Sequence, residues 1–353
     1  MILYKFIILT LYNVMKIKII YFTFIYISII SNMNVFSQSD IKSSNVLKTQ
    51  LIQPEYLKYG DTISIVAPSG VLNNFDNKII KAINIFESWG LNVVLGKHIY
   101  DKNGHFAGTD KNREKDFQKA LDNKNIKAIW CARGGYGAVR IIDKLKFDSY
   151  LRNPKWIIGF SDITVIHNKL NLYNSESIHA MMITGFEEID QNNNSLSKLK
   201  SVLFGDDLSY SIGPNKNNKI GKSEGNIVGG NLTLLQSTIG SKTELKTKDK
   251  ILFIEEVGEY AYSIDRMLYS LKRAGYFDNC KGLIVGQISN VKKNTTDFGM
   301  SINELILEVL DEYDFPILFD FPAGHEKTNY PIILGRKIKL DVTKSKSKVV
   351  FYN

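Results

Sequence analysis

Three polar residues at the ends of apolar segments could together carry out nucleophilic catalysis. Ser161 follows an apolar run and a glycine, and apolar residues then recur at helical spacing, which predicts a bend between a strand and a helix. A serine at such a bend has an exposed hydroxyl beside the positive end of a helix dipole. Glu255 and His325 each stand where a later apolar strand pattern stops. The chain order Ser, Glu, His is the order that α/β-hydrolases use on another fold.

Each of these residues also has an ordinary structural interpretation. A serine followed by an aspartate at a helix start is commonly an N-cap, a strand-end glutamate is usually solvated, and a loop histidine is usually a surface group. Ser69, which follows a proline at the end of the first predicted strand, is the alternative nucleophile. Glu256 and Glu259 are rivals of Glu255. Because successive strand residues point to opposite faces, Glu255 and Glu256 cannot both reach His325.

A glycine-rich loop follows another apolar run. Residues 126–132 predict a buried strand that leads into Arg-Gly-Gly-Tyr-Gly at 133–137, and a helical apolar spacing follows at 139, 142 and 145. Glycines let backbone N–H groups approach a bound oxygen closely, as oxyanion holes and phosphate sites both require. The loop lacks the Gly-x-Gly-x-x-Gly and Gly-Lys-Ser/Thr spacings, so a nucleotide loop is only weakly indicated. A tight turn that needs glycines for shape alone stays open.

Composition indicates a globular protein with no obvious polyanion-binding surface. The 353 residues are 44% hydrophobic and 23% charged, which is enough for a substantial core and about two domains. The net charge of +9 is diffuse, and the lysine-rich stretch 344–348 is typical of a solvated hairpin turn rather than a nucleic-acid site. Cys131 and Cys280 lie in or beside apolar patterns and are predicted to be buried thiols. No histidine has metal-ligand spacing, so we predict no metal and no cofactor.

The N-terminal segment resembles an export signal. Residues 1–37 contain lysines but no acidic residue, and they include an apolar run followed by a small-residue cleavage site. We therefore predict a mature chain that begins near Gln38 and lies in the periplasm or outside the cell. Met15 is an alternative initiator. An uncleaved membrane anchor is the alternative fate, although the apolar core is short for a span.

The remaining chain is predicted to form two domains. After a polar segment at 38–53, strand and helix patterns alternate over 54–186, which indicates a parallel sheet with helices on its faces. Ligands bind such sheets at the carboxyl ends of the strands, where Ser161 is predicted. The polar segment 187–222 is typical of a linker, and 223–353 has strands and helices of its own. The predicted fold class is α/β: an N-terminal parallel-sheet domain, a C-terminal mixed α/β domain and an active site at their boundary.

Taken in this order, the motifs resemble the LD-carboxypeptidase family, the serine peptidases that include the microcin-immunity peptidases. The segments that carry the resemblance are 60–63, 67–70, 133–137, 159–162, 229–232, 253–256, 264–268 and 324–325. Each segment alone is a weak signal, but together and in this order they are specific. Ile163 stands where the α/β-hydrolase elbow has its second glycine, so the chain is not an ordinary α/β-hydrolase.

The resemblance implies a role for each candidate residue. It implies a triad of Ser161, His325 and Glu255, and it selects Glu255 over Glu256. It also implies oxyanion donors from the backbone. The predicted oxyanion donors are Asp162 and one of Gly134 or Gly135. The residues predicted to bind substrate are Arg133, Ser69 and Asn231.

The resemblance also implies a substrate and a partner. The expected reaction is hydrolysis of the bond between an L-configured centre, typically of meso-diaminopimelate, and a terminal D-alanine in murein tetrapeptides. We expect a homodimer, no nucleic-acid partner and no stable membrane span after signal cleavage. The alternatives are a microcin-immunity-like peptidase acting on an aminoacyl-nucleotide analogue, and a catalytically silent protein that binds cell-wall peptides.

Overall fold

The computed structural model describes residues 51–73, 76–188 and 194–352, together with Thr23. The residues from Leu51 onward form one compact unit. Apart from Thr23, the predicted export segment 1–37 lies outside the described residues. No helix in the described ranges is both long enough and apolar enough to cross a membrane.

Strands and helices alternate along most of the described chain, which ends in four consecutive strands. The strands are β1 (Thr62–Val66), β2 (Asn92–Leu95), β3 (Ile126–Cys131), β4 (Trp156–Gly159), β5 (Ser177–His179), β6 (Ser209–Ile212), β7 (Gly221–Asn231), β8 (Lys250–Val257), β9 (Gly282–Ser289), β10 (Ile317–Leu318), β11 (Ile332–Leu334), β12 (Lys337–Val342) and β13 (Ser347–Phe351). The α-helices are α1 (Asp76–Ser88), α2 (Asp110–Asp122), α3 (Asp148–Arg152), α4 (Thr164–Leu172), α5 (Asn194–Phe204), α6 (Leu232–Ser237), α7 (Ala261–Arg273) and α8 (Ile302–Val309).

The first sheet confirms the predicted parallel arrangement. Its strand order is β11-β5-β4-β3-β1-β2, in which β1 to β5 pair in parallel and β11 joins the edge antiparallel to β5. The central strands are almost wholly buried, as the near-continuous apolar runs predict for a sheet that is covered on both faces. The carboxyl ends of β1, β3 and β4 therefore lie side by side.

The second sheet is mixed, as predicted for the C-terminal half. Its order is β10-β9-β8-β7-β12-β13-β6, parallel from β10 to β7 and antiparallel from there to β6. Strands β12 and β13 form the predicted lysine-rich hairpin. The segment 187–222 contains α5 and β6, so it is more than a structureless linker. The domain boundaries at 186 and 223 stay a prediction.

The predicted helix after the glycine loop is instead two 3-10 helices, Ala138–Arg140 and Ile142–Lys144. Their turns close through bonds of three-residue spacing, from Arg140 N to Gly137 O and from Ile141 N to Ala138 O. Of the three positions in the apolar spacing, Ile142 and Leu145 are buried and Val139 is partly buried, but that spacing does not distinguish a short 3-10 turn from an α-helix.

Two glycines in β7 allow close packing, Gly229 against the neighbouring strand β8 and Gly230 against helix α4 of the first half. A Cβ atom at Gly229 would lie 1.9 Å from Phe253 O, and one at Gly230 would lie 2.4 Å from Thr164 Oγ1. The same Thr164 hydroxyl accepts a hydrogen bond from Asn231 N at 3.0 Å. Since Thr164 begins α4, this contact joins the second sheet to the helix that follows Ser161.

Candidate active site

Ser161 occupies a sharp bend between β4 and a short 3-10 helix, Ser161–Ile163, that leads into α4. Its φ of 61° lies in the left-handed region, which a residue with a side chain adopts only when the surroundings require it. Neither the 3-10 helix nor α4 has a side-chain cap, so Ser161 is not acting as an N-cap. A serine held in this way at a strand-to-helix bend has the geometry of a nucleophile elbow.

The backbone before Ser161 is fixed by close packing and by a buried histidine. A Cβ atom at Gly159 would lie 2.9 Å from Ile163 Cγ1, so the turn requires a glycine. His167 Nε2 lies 2.9 Å from Gly159 O, and its Nδ1 lies 2.8 Å from Ser177 Oγ. Because the carbonyl can only accept, Nε2 carries the proton and Nδ1 accepts from the hydroxyl. Burial lowers the pKa of His167 to about 4, which keeps this tautomer neutral.

The glycine loop lies directly against Ser161. A Cβ atom at Gly134 would lie 3.2 Å from Ser161 Oγ, so the loop backbone faces the hydroxyl. Gly134 O accepts a hydrogen bond from Gly70 N at 3.0 Å. In a trans peptide the next N–H points the opposite way, so Gly135 N–H is directed away from Gly70. Within the described ranges the N–H groups of Gly134 and Gly135 donate to no other residue.

Asp162 connects the elbow to the end of this loop. Its Oδ2 accepts a hydrogen bond from Ala138 N at 2.8 Å. Burial raises the pKa of Asp162, while hydrogen bonding from the Ser69 hydroxyl and Ala138 N–H opposes that rise. By geometry, however, neither Ser69 Oγ nor Asp162 Oδ1 has a hydrogen-bond partner in the described chain. Ser69 is fully buried, so its hydroxyl is poorly placed either to attack a substrate or to bind one.

Glu255 and His325 meet although 70 residues separate them. Glu255 Oε2 lies 2.7 Å from His325 Nδ1, and the Glu255 side chain is fully buried at the carboxyl end of β8. His325 is half-buried in the loop after β10. The carboxylate can only accept, so Nδ1 of His325 carries the proton and Nε2 is left with its lone pair.

Glu256 points away from His325, as strand alternation predicts. Its carboxylate accepts from Thr233 N at 2.7 Å, from Thr233 Oγ1 at 2.8 Å and from Asn231 Nδ2 at 3.2 Å. Burial raises the pKa of Glu256, and the neighbouring charge of Glu255 adds to that rise against these hydrogen bonds. Asn231 also caps α6 by accepting from Leu234 N at 3.2 Å. In the structure, the side chain of Asn231 therefore links the end of β7 to Glu256 and to the start of α6.

A cavity of about 800 Å³ opens beside these groups. Phe160 and Met182 line it from the first half, and His325, Glu326 and Lys327 line it from the second. The ring centroids of Phe160 and His325 lie 4.7 Å apart, so the residue before the candidate nucleophile contacts the candidate base. No hydrogen bond joins His325 to the Ser161 hydroxyl in the described residues. Such contacts commonly form only when substrate is bound.

Arg133 does not line this cavity. Its Nη1 donates to Val71 O, and its side chain packs beside Gly70. Sequence reasoning also missed the supporting roles of His167 and Phe160. His167 was part of an ordinary helix pattern, and Phe160 lies in a segment that carries the family resemblance, but no pattern in the sequence shows that these residues contact Gly159 O and the His325 ring.

Comparison with known proteins identifies the family of the chain. Residues 63–180 match the model of the LD-carboxypeptidase N-terminal domain, and residues 224–340 match that of the C-terminal domain. The chain is 31% identical over 295 residues to a putative carboxypeptidase of Synechocystis, with 84% of this chain and 96% of the relative covered. It is 30% identical over 302 residues to a probable murein peptide carboxypeptidase of Bacillus subtilis, covering 84% and 94%.

A solved structure shares the fold. The crystal structure of muramoyltetrapeptide carboxypeptidase from Oxalobacter formigenes superimposes with a TM-score of 0.76 at 26% identity, covering 83% of this chain and 99% of that one. The two domain models match residues 63–180 and 224–340, which is more than half of the chain, and the relatives align over most of it. The chain belongs to the LD-carboxypeptidase family and is a serine-type carboxypeptidase, a hydrolase.

Proposed function

We propose that this protein is an exported carboxypeptidase that hydrolyses the L,D-amide bond before a terminal D-alanine in murein tetrapeptides. Ser161 is the nucleophile, His325 the general base and Glu255 the residue that orients His325. The observation that carries the proposal is the 2.7 Å contact between Glu255 Oε2 and His325 Nδ1 beside the strained turn at Ser161.

The tautomer of His325 suits it to remove a proton. With Nδ1–H donated to Glu255, the lone pair of Nε2 can accept the Ser161 proton as the hydroxyl oxygen attacks the amide carbonyl. The buried carboxylate then stabilises the imidazolium. His325 returns the proton to the nitrogen of the departing D-alanine, and an acyl-enzyme on Ser161 remains. Water activated by the same imidazole releases the peptide.

The backbone around Ser161 supplies the oxyanion donors. Asp162 N–H lies in the first turn of a helix, where N–H groups have no partner within the helix. The N–H of Gly134 or Gly135, neither of which donates elsewhere in the described ranges, is the second donor. Two donors that converge on the oxygen stabilise the tetrahedral intermediate more than the planar carbonyl.

The test is hydrolysis of murein tetrapeptide by the chain from Gln38 onward. Release of D-alanine by this protein, and not by its Ser161→Ala variant, supports the proposal. A parallel incubation uses an aminoacyl-nucleotide analogue of the kind expected for microcin-immunity peptidases. Cleavage of that analogue alone would favour the alternative substrate, and binding of tetrapeptide without turnover would favour a silent peptide-binding protein.

Export is tested separately by sequencing the N-terminus of the protein isolated from its native host. A start near Gln38 in an extracytoplasmic fraction is the expected result. An intact Met1 or Met15 in the cytosolic fraction would contradict export without affecting the proposed reaction.

A further inference from the structure

The conformation of the glycine loop cannot be set by its own residues. Gly135 and Gly137 have φ values of 95° and 144°, which glycine adopts freely but does not prefer over its other conformations. A loop with so little local preference must be held by groups outside it if its N–H groups are to stay aimed at one point.

Arg113 of α2 provides such a hold. Its side chain is buried, and its Nη1 donates to Pro68 O at 2.5 Å and to Gly137 O at 2.9 Å. Pro68 stands two residues before Gly70, whose N–H donates to Gly134 O at 3.0 Å. These contacts form a closed ring in which the loop after β1 and the glycine loop are joined twice, once directly and once through the guanidinium.

The surroundings of Arg113 fit a guanidinium and no shorter cation. Asp110 accepts from its Nη2, and the Phe106 ring centroid lies 4.9 Å from its Cζ. A Cβ atom at Gly137 would lie 2.6 Å from Nη1, so the guanidinium fills the space that the glycine leaves. The planar guanidinium can donate to two carbonyls and a carboxylate at once, whereas a lysine side chain is shorter and ends in one ammonium group.

We propose that Arg113 is a positioning residue that fixes the oxyanion donors of the glycine loop. The inference rests on the proposed function. Arg113 touches no reacting atom and acts through the backbone of residues 134–137. Misplaced donors weaken binding of the transition state more than binding of the substrate, so loss of Arg113 lowers kcat rather than raising KM.

Arg140 offers a matched control. Its Nε pairs with both oxygens of the same Asp110 at 3.0 Å, and its Cζ lies 4.8 Å from the same Phe106 ring. Its side chain donates to neither Pro68 O nor Gly137 O in the described residues, and the bond from its backbone N–H to Gly137 O does not depend on the side chain. Arg140→Met therefore removes both a guanidinium charge and its ring contact, a larger change than Arg113→Lys makes, while leaving the closed ring of hydrogen bonds intact.

The experiment measures kcat and KM for murein tetrapeptide with the wild type, Arg113→Lys and Arg140→Met. We expect Arg113→Lys to lower kcat about 100-fold with KM changed by less than about threefold, and Arg140→Met to change neither by more than about threefold. In a Ser161→Ala background, Arg113→Lys should leave the affinity for tetrapeptide unchanged. An unchanged kcat, or a loss expressed mainly in KM and affinity, would overturn the inference.

Amide hydrogen exchange gives a readout that needs no substrate. The Gly70 and Ala138 amides, which donate to Gly134 O and Asp162 Oδ2, should exchange faster in Arg113→Lys than in the wild type or Arg140→Met. Equal exchange in all three proteins would overturn the inference. If the wild type releases no D-alanine, the proposed function has failed, and these exchange rates still decide whether Arg113 holds the loop.

Discussion

Replacing Glu255 by glutamine removes a charge while keeping the shape of the side chain. The glutamine amide can face His325 Nδ1 with either its oxygen or its nitrogen. The oxygen keeps the tautomer but no longer stabilises the imidazolium. The nitrogen forces the opposite tautomer, which places the proton on Nε2 and prevents it from accepting the Ser161 proton. Either orientation impairs the proposed proton transfer.

The expected loss is large because the carboxylate is fully buried and lies 2.7 Å from Nδ1. Neutralising the carboxylate of a comparable triad lowers kcat by about 10⁴, which corresponds to about 5.5 kcal/mol of transition-state stabilisation. The free energy of unfolding should change by less than about 3 kcal/mol, the upper range for one hydrogen bond to a charged group.

Glu256→Gln is the matched control in the adjacent position. Glu256 accepts hydrogen bonds from Thr233 N and Oγ1, Val257 N and Asn231 Nδ2, so an amide nitrogen there would face donors. We expect this variant to lose about 1.5 to 3 kcal/mol of unfolding free energy and to keep most of its kcat. The two variants should therefore differ sharply in turnover, even where their losses of unfolding free energy are similar.

D-alanine release and urea unfolding, measured on both variants at the same pH, test this reasoning. Equal losses of kcat in the two glutamine variants would refute the proposed role of Glu255. So would near-normal turnover in Glu255→Gln alone.

Three further perturbations test the elbow and its supports. Ser161→Ala should lower turnover at least about 1,000-fold while changing the unfolding free energy by no more than about 1 kcal/mol. Turnover near the wild-type rate would show that Ser161 is not the nucleophile. The pKa of His167 is about 4 in the folded protein and near 6.5 in the unfolded chain, so as pH falls the unfolded chain takes up this proton before the folded protein does. Protonation of the unfolded chain should therefore reduce the unfolding free energy by about 2 kcal/mol between pH 7 and pH 5. Urea unfolding of the wild type and His167→Gln should reveal this as a steeper pH dependence in the wild type, and equal slopes would contradict it. Gly230→Ala should destabilise the protein because its Cβ would lie 2.4 Å from Thr164 Oγ1, whereas Gly213→Ala, which meets no atom within 4 Å, should not; equal melting temperatures for the two variants would argue against a tight contact there.

Local patterns in the sequence were sufficient where one segment contained the whole feature. The strand, glycine and helical spacing around Ser161 predicted the elbow because all three lie within residues 156–170. The pairing of Glu255 with His325 spans 70 residues, and only the family resemblance selected Glu255 over its neighbours. Strand alternation could show that Glu255 and Glu256 face opposite ways, but it could not show which of them faces the histidine.

Contacts to backbone carbonyls were beyond prediction from the sequence. Arg113 and His167 lie inside helices, where an arginine and a histidine are common. Their partners are Pro68 O, Gly137 O and Gly159 O, and a carbonyl oxygen is present at every position of the chain. The segment 187–222 was predicted to be a linker because its average composition is polar, and that average concealed the apolar face of α5.

The division of the proposed catalytic groups between two sheets makes activity depend on how closely the sheets are joined. The chain passes from β11 in the first sheet to β12 in the second at Gly335 and Arg336. There Arg336 makes two hydrogen bonds to buried Glu176, at 2.8 and 2.6 Å, just before β5 begins. A buried pair of this kind adds little net stability over apolar packing, but its two parallel hydrogen bonds fix the position of Arg336 relative to Glu176. Together with the contact between Gly230 and Thr164, this pair holds the end of β4, which precedes Ser161, at a fixed distance from the end of β8, which carries Glu255. The proposed transfer of a proton from Ser161 to His325 requires such a fixed arrangement.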